Sequence, residues 1–171
     1  FWQSLFGFTE YRSHTKKIPD LIFNVSKEMQ LEFIRGYFLG DGTISKSSIS
    51  FTTTSRNMAD QLMYLLQSFG VMASVYVKEP KKAKGHIQSK QTAYIITVTA
   101  RNNLKRLYPV WKDHHNAHYL DKKLESKSRS CNPQFELISS DLVALPVKQI
   151  KEVTPTNNFV YDFSVDEDEN F

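Results

Sequence analysis

The chain has 171 residues, carries 22 Lys and Arg against 18 Asp and Glu, and contains one cysteine. That length bounds it to one domain, or one domain plus an appendage. The lone Cys131 excludes an internal disulfide and a cysteine-based zinc site, and no apolar run approaches the roughly 18 residues of a membrane span. No signal-peptide pattern is visible, so an intracellular protein is expected. The chain opens on Phe1 rather than Met, which reads as a fragment, a processed product or a trimmed chain. The net charge of +4 conceals a segregation. Residues 132–171 hold two basic and eight acidic residues, so everything before them is strongly basic. A basic body of that kind fits a polyanion partner.

In chain order, the opening through about Pro19 is aromatic and irregular, and Lys16-Lys-Ile-Pro19 looks like a connector. Ser26 is a good N-cap for a helix running to Gly40. On that helix Gly36 and Gly40 sit four apart, on one face. Glycines so placed let a second helix approach backbone to backbone. Asp41 follows at once, with Gly42 placed to stop the helix. A carboxylate at a helix C-terminus is disfavoured by the helix dipole, so its placement between two glycines favours function.

Thr43–Thr54 then alternates, with Ile49 and Phe51 on one side and Ser48, Ser50 and Thr52 on the other, which predicts a hairpin. Ser55 caps a second helix, Asn57–Phe69, with Leu62, Leu65, Leu66 and Phe69 as its apolar stripe and Gly70 as its end. Val71–Glu79 and Thr92–Thr99 are two further strands. Between them lies a polar tip with Lys81, Lys82, Lys84 and Lys90. Short helices are expected at Asn102–Tyr108 and Asn116–Lys127, the latter with Leu120 and Leu124 inward. Cys131-Asn-Pro133 breaks the pattern. Asp141–Val153 and Phe159–Val165 read as strands around a turn at Pro155-Thr-Asn-Asn158.

This order predicts an α+β unit: one four-stranded antiparallel sheet with helices on one face. The other face is too polar for a second core. Lys46, Ser48, Ser50, Thr52, Thr54, Tyr76, Lys78, Gln91 and Tyr94 are assigned to it, with the four tip lysines beside them. Such a sheet can lie in a DNA major groove, its hydroxyls, amides and ammonium groups reaching bases and phosphates.

Ile34-Arg-Gly-Tyr-Phe-Leu-Gly-Asp-Gly42, followed by β-β-α-β-β-α, resembles the LAGLIDADG homing endonucleases. More narrowly, the chain resembles the second half of an intein-borne member. The lead-in Lys17-Ile-Pro-Asp-Leu-Ile-Phe-Asn24 is similar to the linker before the second motif of two-motif members. Phe159-Val-Tyr-Asp-Phe-Ser-Val165, with Asn170-Phe171, is similar to the late block of intein splicing domains, where Asp162 would sit near the C-terminal cleavage chemistry. The implied organisation is a lead-in at 1–25, a LAGLIDADG half domain at 26–131 and a β tail at 132–171 that resembles part of a splicing domain.

The resemblance implies that Asp41 is a divalent-metal ligand, with the carbonyl of Gly40 as a second contact. Leu39 stands where the family name has its first Asp, a variable position that commonly serves capping. Family members also place a lysine near the metal-bound water. Lys112 is the nearest match and His114 the alternate. Hard oxygen ligands select Mg²⁺ or Mn²⁺. One Asp holds a metal poorly, so the chain needs a second LAGLIDADG helix, from a homodimer partner or a missing N-terminal half.

The expected function is site-specific cleavage of double-stranded DNA. A splicing-element fragment and a DNA-binding module without cleavage remain the alternatives. The chain lacks a nucleophilic Cys or Ser at its start and a His-Asn at its end, so splicing by this chain alone is not expected. His114 and His118, spaced i,i+4, lack the glutamate of a zinc protease and read as a polar helix start.

Overall fold

Two serines and a set of alternating apolar residues account for most of the fold. The computed structural model describes residues 12–80, 91–126, 136–137, 139, 142–154, 157 and 159. Contacts divide the chain into two compact units, residues 1–132 and 133–171.

In the first unit, a short 3-10 helix at Asp20–Asn24 leads to α1, Lys27–Asp41. Ser26 caps α1 by accepting the Met29 N–H at 3.4 Å, satisfying one of the free donors of a helix start. The helix runs one residue beyond the expected Gly40 and takes in Asp41. Its stop is not a left-handed glycine: Gly42 has φ −83 and opens strand β1, Gly42–Ile44. What Gly42 supplies is room. A Cβ there would strike the ring and the carbonyl of Phe38.

A turn at Ser45–Ser48 leads to β2, Ile49–Thr53. Ser55 then caps α2, Arg56–Gln67, accepting the Met58 N–H at 3.2 Å. Gly70, at φ 65, ends that helix as the sequence predicts. The Val71 N–H reaches back to the Leu66 carbonyl at 3.1 Å, and the left-handed residue makes that reversal possible. Strands β3, Ser74–Lys78, and β4, Ala93–Val98, follow.

The expected helix at Asn102–Tyr108 is instead two: α3, Arg101–Arg106, and α4, Tyr108–Trp111, divided at Leu107 with Pro109 in the first turn of α4. Proline fixes φ and lacks the N–H a continuing helix would need, but it suits a first turn. Helix α5, Ala117–Glu125, ends the described part of this unit, with Leu120 fully buried and Leu124 half-buried.

The sheet order is β1-β2-β4-β3, antiparallel throughout. Register sorts the side chains. Ile44, Ile49, Phe51, Ile96 and Val98 turn toward the helices and are buried there with Ile34, Phe38, Leu62, Leu66, Leu104 and Trp111. Burial of each such large side chain stabilises by about 1.5–3 kcal/mol. Trp111 also donates its indole N–H to the Leu104 carbonyl at 2.9 Å, so it is buried with its polar atom satisfied. The α+β fold expected from the sequence, a four-stranded antiparallel sheet backed by helices, is the one observed.

The second unit departs from expectation. Among the described residues of the span expected as a strand, Asp141–Val153, just Val143–Ala144 is strand: it is β6, which pairs with β5, Glu136–Leu137. Leu145, Val147, Ile150 and Val153 are exposed. Alternation alone does not hold a strand that has no partner and no apolar layer to bury against, and Pro146 has no N–H to give a ladder. Phe159 is described and exposed; the remainder of the expected strand, including Asp162, lies outside the described residues. Among those described, no helix is long and apolar enough to cross a membrane.

Candidate functional site

The two faces of α1 set up the site. Its buried side is Gln30, Ile34 and Phe38. On the opposite side Met29, Gly36, Leu39 and Gly40 are exposed, Met29 at 62% and Leu39 at 44%. Among the described residues, a Cβ on Gly36 or Gly40 would meet nothing within 4 Å. No described side chain fills the space beside these two glycines, and small residues so placed permit close helix packing. Asp41, in the last turn, is exposed at the end of this face.

Three side chains crowd that last turn. Tyr37 lies parallel to Phe51, ring centres 6.0 Å apart, and is half-buried. Burial raises the pKa of its phenol, the charge of Asp41 adds to this, and a hydrogen bond with Thr53 partly offsets both. Phe38 meets Phe51 edge-on at 5.3 Å. The third is His114, whose ring lies 5.6 Å from that of Phe38.

His114 belongs to a loop fastened to α1. Arg35 bridges Asp113 at 2.8 Å and Glu32, on its own helix, at 3.0 Å. The His114 Nδ1 accepts the Asn116 N–H at 3.1 Å, so the neutral ring carries its proton on Nε2 and offers a donor there. Burial, and then the neighbouring His115, hold its pKa below the usual histidine value. Lys112 caps the end of α4 and is exposed. It shares the pinned loop, but the ring that packs on the last turn of α1 is that of His114.

The sheet face away from the helices carries Thr43, Ser50, Thr52, Ser74, Tyr76, Lys78, Ala93, Ile95 and Thr97 in one register. Of the residues assigned to it, Ser50, Thr52, Tyr76 and Lys78 are there, and Lys46 is exposed on the β1–β2 turn. Ser48 sits in that turn with its hydroxyl 2.7 Å from the Ser45 hydroxyl. Thr54 follows β2, half-buried, with a hydroxyl that has no hydrogen-bond partner among the described residues.

Tyr94 is a correction. It pairs with Thr53 and Val77 in the series of Ile96 and Val98 and packs on the core side. Its position two residues before Ile96 signals this, since alternate residues share a face. Thr43, Ser74, Ile95 and Thr97 are face residues the sequence reading passed over, and the same alternation marks them. Gln91 is exposed and hydrogen-bonded to the lead-in segment. Lys81, Lys82, Lys84 and Lys90 lie outside the described residues.

A divalent ion would find two hard oxygens on this chain, the Asp41 carboxylate and the Gly40 carbonyl beside it. That donor set suits Mg²⁺ or Mn²⁺ chemically, and a second such set would be needed to complete a site. Among the described residues no group of three or more His, Cys, Asp or Glu could hold a metal ion.

A family profile described as a LAGLIDADG-like domain matches residues 28–112, which run from the first turn of α1 to the end of α4. An uncharacterized protein of Methanocaldococcus jannaschii is 31% identical over 147 residues, which is 80% of this chain and 15% of that protein. A DNA polymerase of Thermococcus aggregans is 30% identical over 189 residues, 99% of this chain and 10% of the polymerase. An elongation factor 2 of Methanopyrus kandleri is 30% identical over 131 residues, 75% of this chain and 9% of that protein. The chain thus spans a small fraction of the length of the curated relatives it matches. Domains of this kind generally bind DNA and pair with a second domain. With its glycine-faced helix, its β-β-α-β-β-α order and this match, the chain belongs to the LAGLIDADG family of homing endonucleases.

Proposed function

We propose that this domain is one half of a metal-dependent, site-specific endonuclease for double-stranded DNA, acting inside the cell and completed by a second LAGLIDADG helix. The observation that carries the reading is the bare glycine face of α1 running into an exposed Asp41. A helix docked on Gly36 and Gly40 would bring its own terminal carboxylate beside Asp41. The polar face of the sheet would lie in the major groove and hold the duplex over the paired helix ends.

The roles follow from the chemistry. Asp41 and the Gly40 carbonyl would hold Mg²⁺ or Mn²⁺ together with the second helix and DNA phosphates. When bound, such an ion lowers the pKa of a water and neutralises charge on the attacked phosphate. The His114 Nε2–H is a neutral donor suited to a phosphate oxygen. Its Nδ1 is occupied by the Asn116 N–H, so this ring is poorly suited to act as a base. Lys112, on the same loop, would add positive charge near the scissile group. Arg35, through Asp113, keeps that loop against α1.

We infer further that the chain derives from an intein. Segments like it occupy about a tenth of proteins as different as a DNA polymerase and an elongation factor, which fits an element inserted into unrelated hosts. The tail motif around Asp162 supports the same origin. A binding module without cleavage is the competing outcome.

The test is linearisation of a plasmid carrying the uninterrupted host junction, with Mg²⁺. The parent protein is expected to cut, and Asp41→Asn to bind without cutting. Cutting by Asp41→Asn at the parent's rate would remove Asp41 from the site. Salt-sensitive binding by a parent that pairs on the DNA and still does not cut would favour the binding module.

A further inference from the structure

We propose that the lead-in Arg12–Lys16 is a DNA-contacting arm that sets Arg12 and Lys16 against the phosphate backbone beside the polar sheet face; this rests on the DNA-binding reading above. The segment is not a free connector. Ile18 is fully buried, and its N–H donates to Gln61 Oε1 at 2.7 Å. The Lys16 carbonyl accepts the Ser55 hydroxyl, just past the end of β2. Farther back, Ser13 Oγ donates to Gln91 Oε1 at 3.5 Å, and Gln91 Nε2 donates to His14 Nδ1 at 3.2 Å.

Gln91 locates the arm. Lys78 pairs with Ala93 at the end of the ladder, and the Thr92 hydroxyl still reaches Glu79 across the strands at 2.9 Å. Gln91 lies two residues before Ala93, the last outward-series residue of β4, so Ser13 and His14, bonded to Gln91, sit beside the end of the β3–β4 pair.

The charges are placed for use. Residues 12–19 contain no acid. Lys17 pairs with Asp20 at 3.2 Å, whereas Arg12 and Lys16 enter no ion pair among the described residues, and both are exposed. The anchors use the Lys16 carbonyl, and the Arg12 carbonyl accepts the Thr15 N–H and hydroxyl. Neither cationic head takes part in the fastening. A tethered backbone presenting free cations contacts phosphates at a smaller ordering cost than a loose tail.

The discriminating measurement is the salt dependence of binding to a labelled duplex of arbitrary sequence, over about 50 to 200 mM salt, because each neutralised phosphate contributes about −0.9 to the slope of log K against log salt. The probes are the full chain, Arg12→Gln, Lys16→Gln, the double variant, and Lys105→Gln on α3 as a control of equal charge on the helix side. Glutamine keeps the backbone anchors, so folding is preserved, as a melting curve would confirm. The double variant is expected to have a slope shallower by about 2, each single variant by about 1, and Lys105→Gln by nothing. A double variant with the parental slope would overturn the arm and leave the DNA reading standing. An equal loss in Lys105→Gln would also overturn it, since general charge would then be the cause. A parent with no salt-dependent affinity for duplex would overturn both.

Discussion

Gly42 and Gly36 show how one residue type serves opposite ends at the scale of single residues. Gly42 is wanted for the space its missing side chain leaves to Phe38, because its φ is one any residue adopts. Gly42→Ala is therefore expected to destabilise the chain by about 1–3 kcal/mol, the usual result of forcing an extra carbon into a packed core; urea unfolding would show it as a lower midpoint. A Cβ on Gly36 would meet no described residue within 4 Å, so no described neighbour requires its smallness. His114 adds a pH signature. Its folded pKa lies below the ordinary value near 6.5, so the unfolded state takes up the proton more readily. Stability should fall as pH drops below about 6.5 and recover above it, and His114→Gln should flatten that part of a melting-temperature profile. The expectation fails if parent and variant show the same slope.

At the scale of elements, caps and alternation made much of the fold legible. Ser26 and Ser55 mark helix starts because their hydroxyls accept specific backbone N–H groups. Gly70 marks an end because its φ is positive. The alternation around Ile49 and Phe51 fixed which side of the sheet faces the helices. The direction of Tyr94 was available from the same alternation, but a residue with an apolar ring and a polar tip invites assignment to either face. The strand expected over Asp141–Val153 was misread for a different reason: periodicity describes a strand's faces and does not supply the partner that makes it a strand.

The tie between α5 and the sheet was not legible at all, since it joins distant backbone atoms. Lys123, half-buried, donates to the carbonyls of Ser47 and Thr99, each at 2.6 Å. Burial, with Arg101 nearby, holds its pKa below the usual lysine value. Lys123→Met should cost about 0.5–1.5 kcal/mol, the net range for hydrogen bonds whose acceptors, on the exposed Ser47 and Thr99, can turn to water. Hydrogen exchange should report the loosening at the β1–β2 turn. Unchanged protection there would argue that the tie is dispensable.

For the whole molecule, the sequence suggested an incomplete active site, and the structure offers a candidate surface for the proposed completion. The buried side of α1 is used up by this domain's own core, whereas no described residue covers the glycine side. Which helix covers it is not written in the residues of this chain, because a docking face specifies closeness of approach and not the identity of the partner. The central claim is that cleavage requires this face. Gly36→Leu tests it most directly, because leucine is a better helix former than glycine and should raise the stability of the chain by up to about 1 kcal/mol while blocking close approach. The measurement is the rate of Mg²⁺-dependent plasmid linearisation by Gly36→Leu relative to the parent. A loss of about a hundredfold or more, which by itself corresponds to about 2.7 kcal/mol, with an undiminished melting temperature is the predicted result. Cutting at the parental rate by this folded variant would contradict the account.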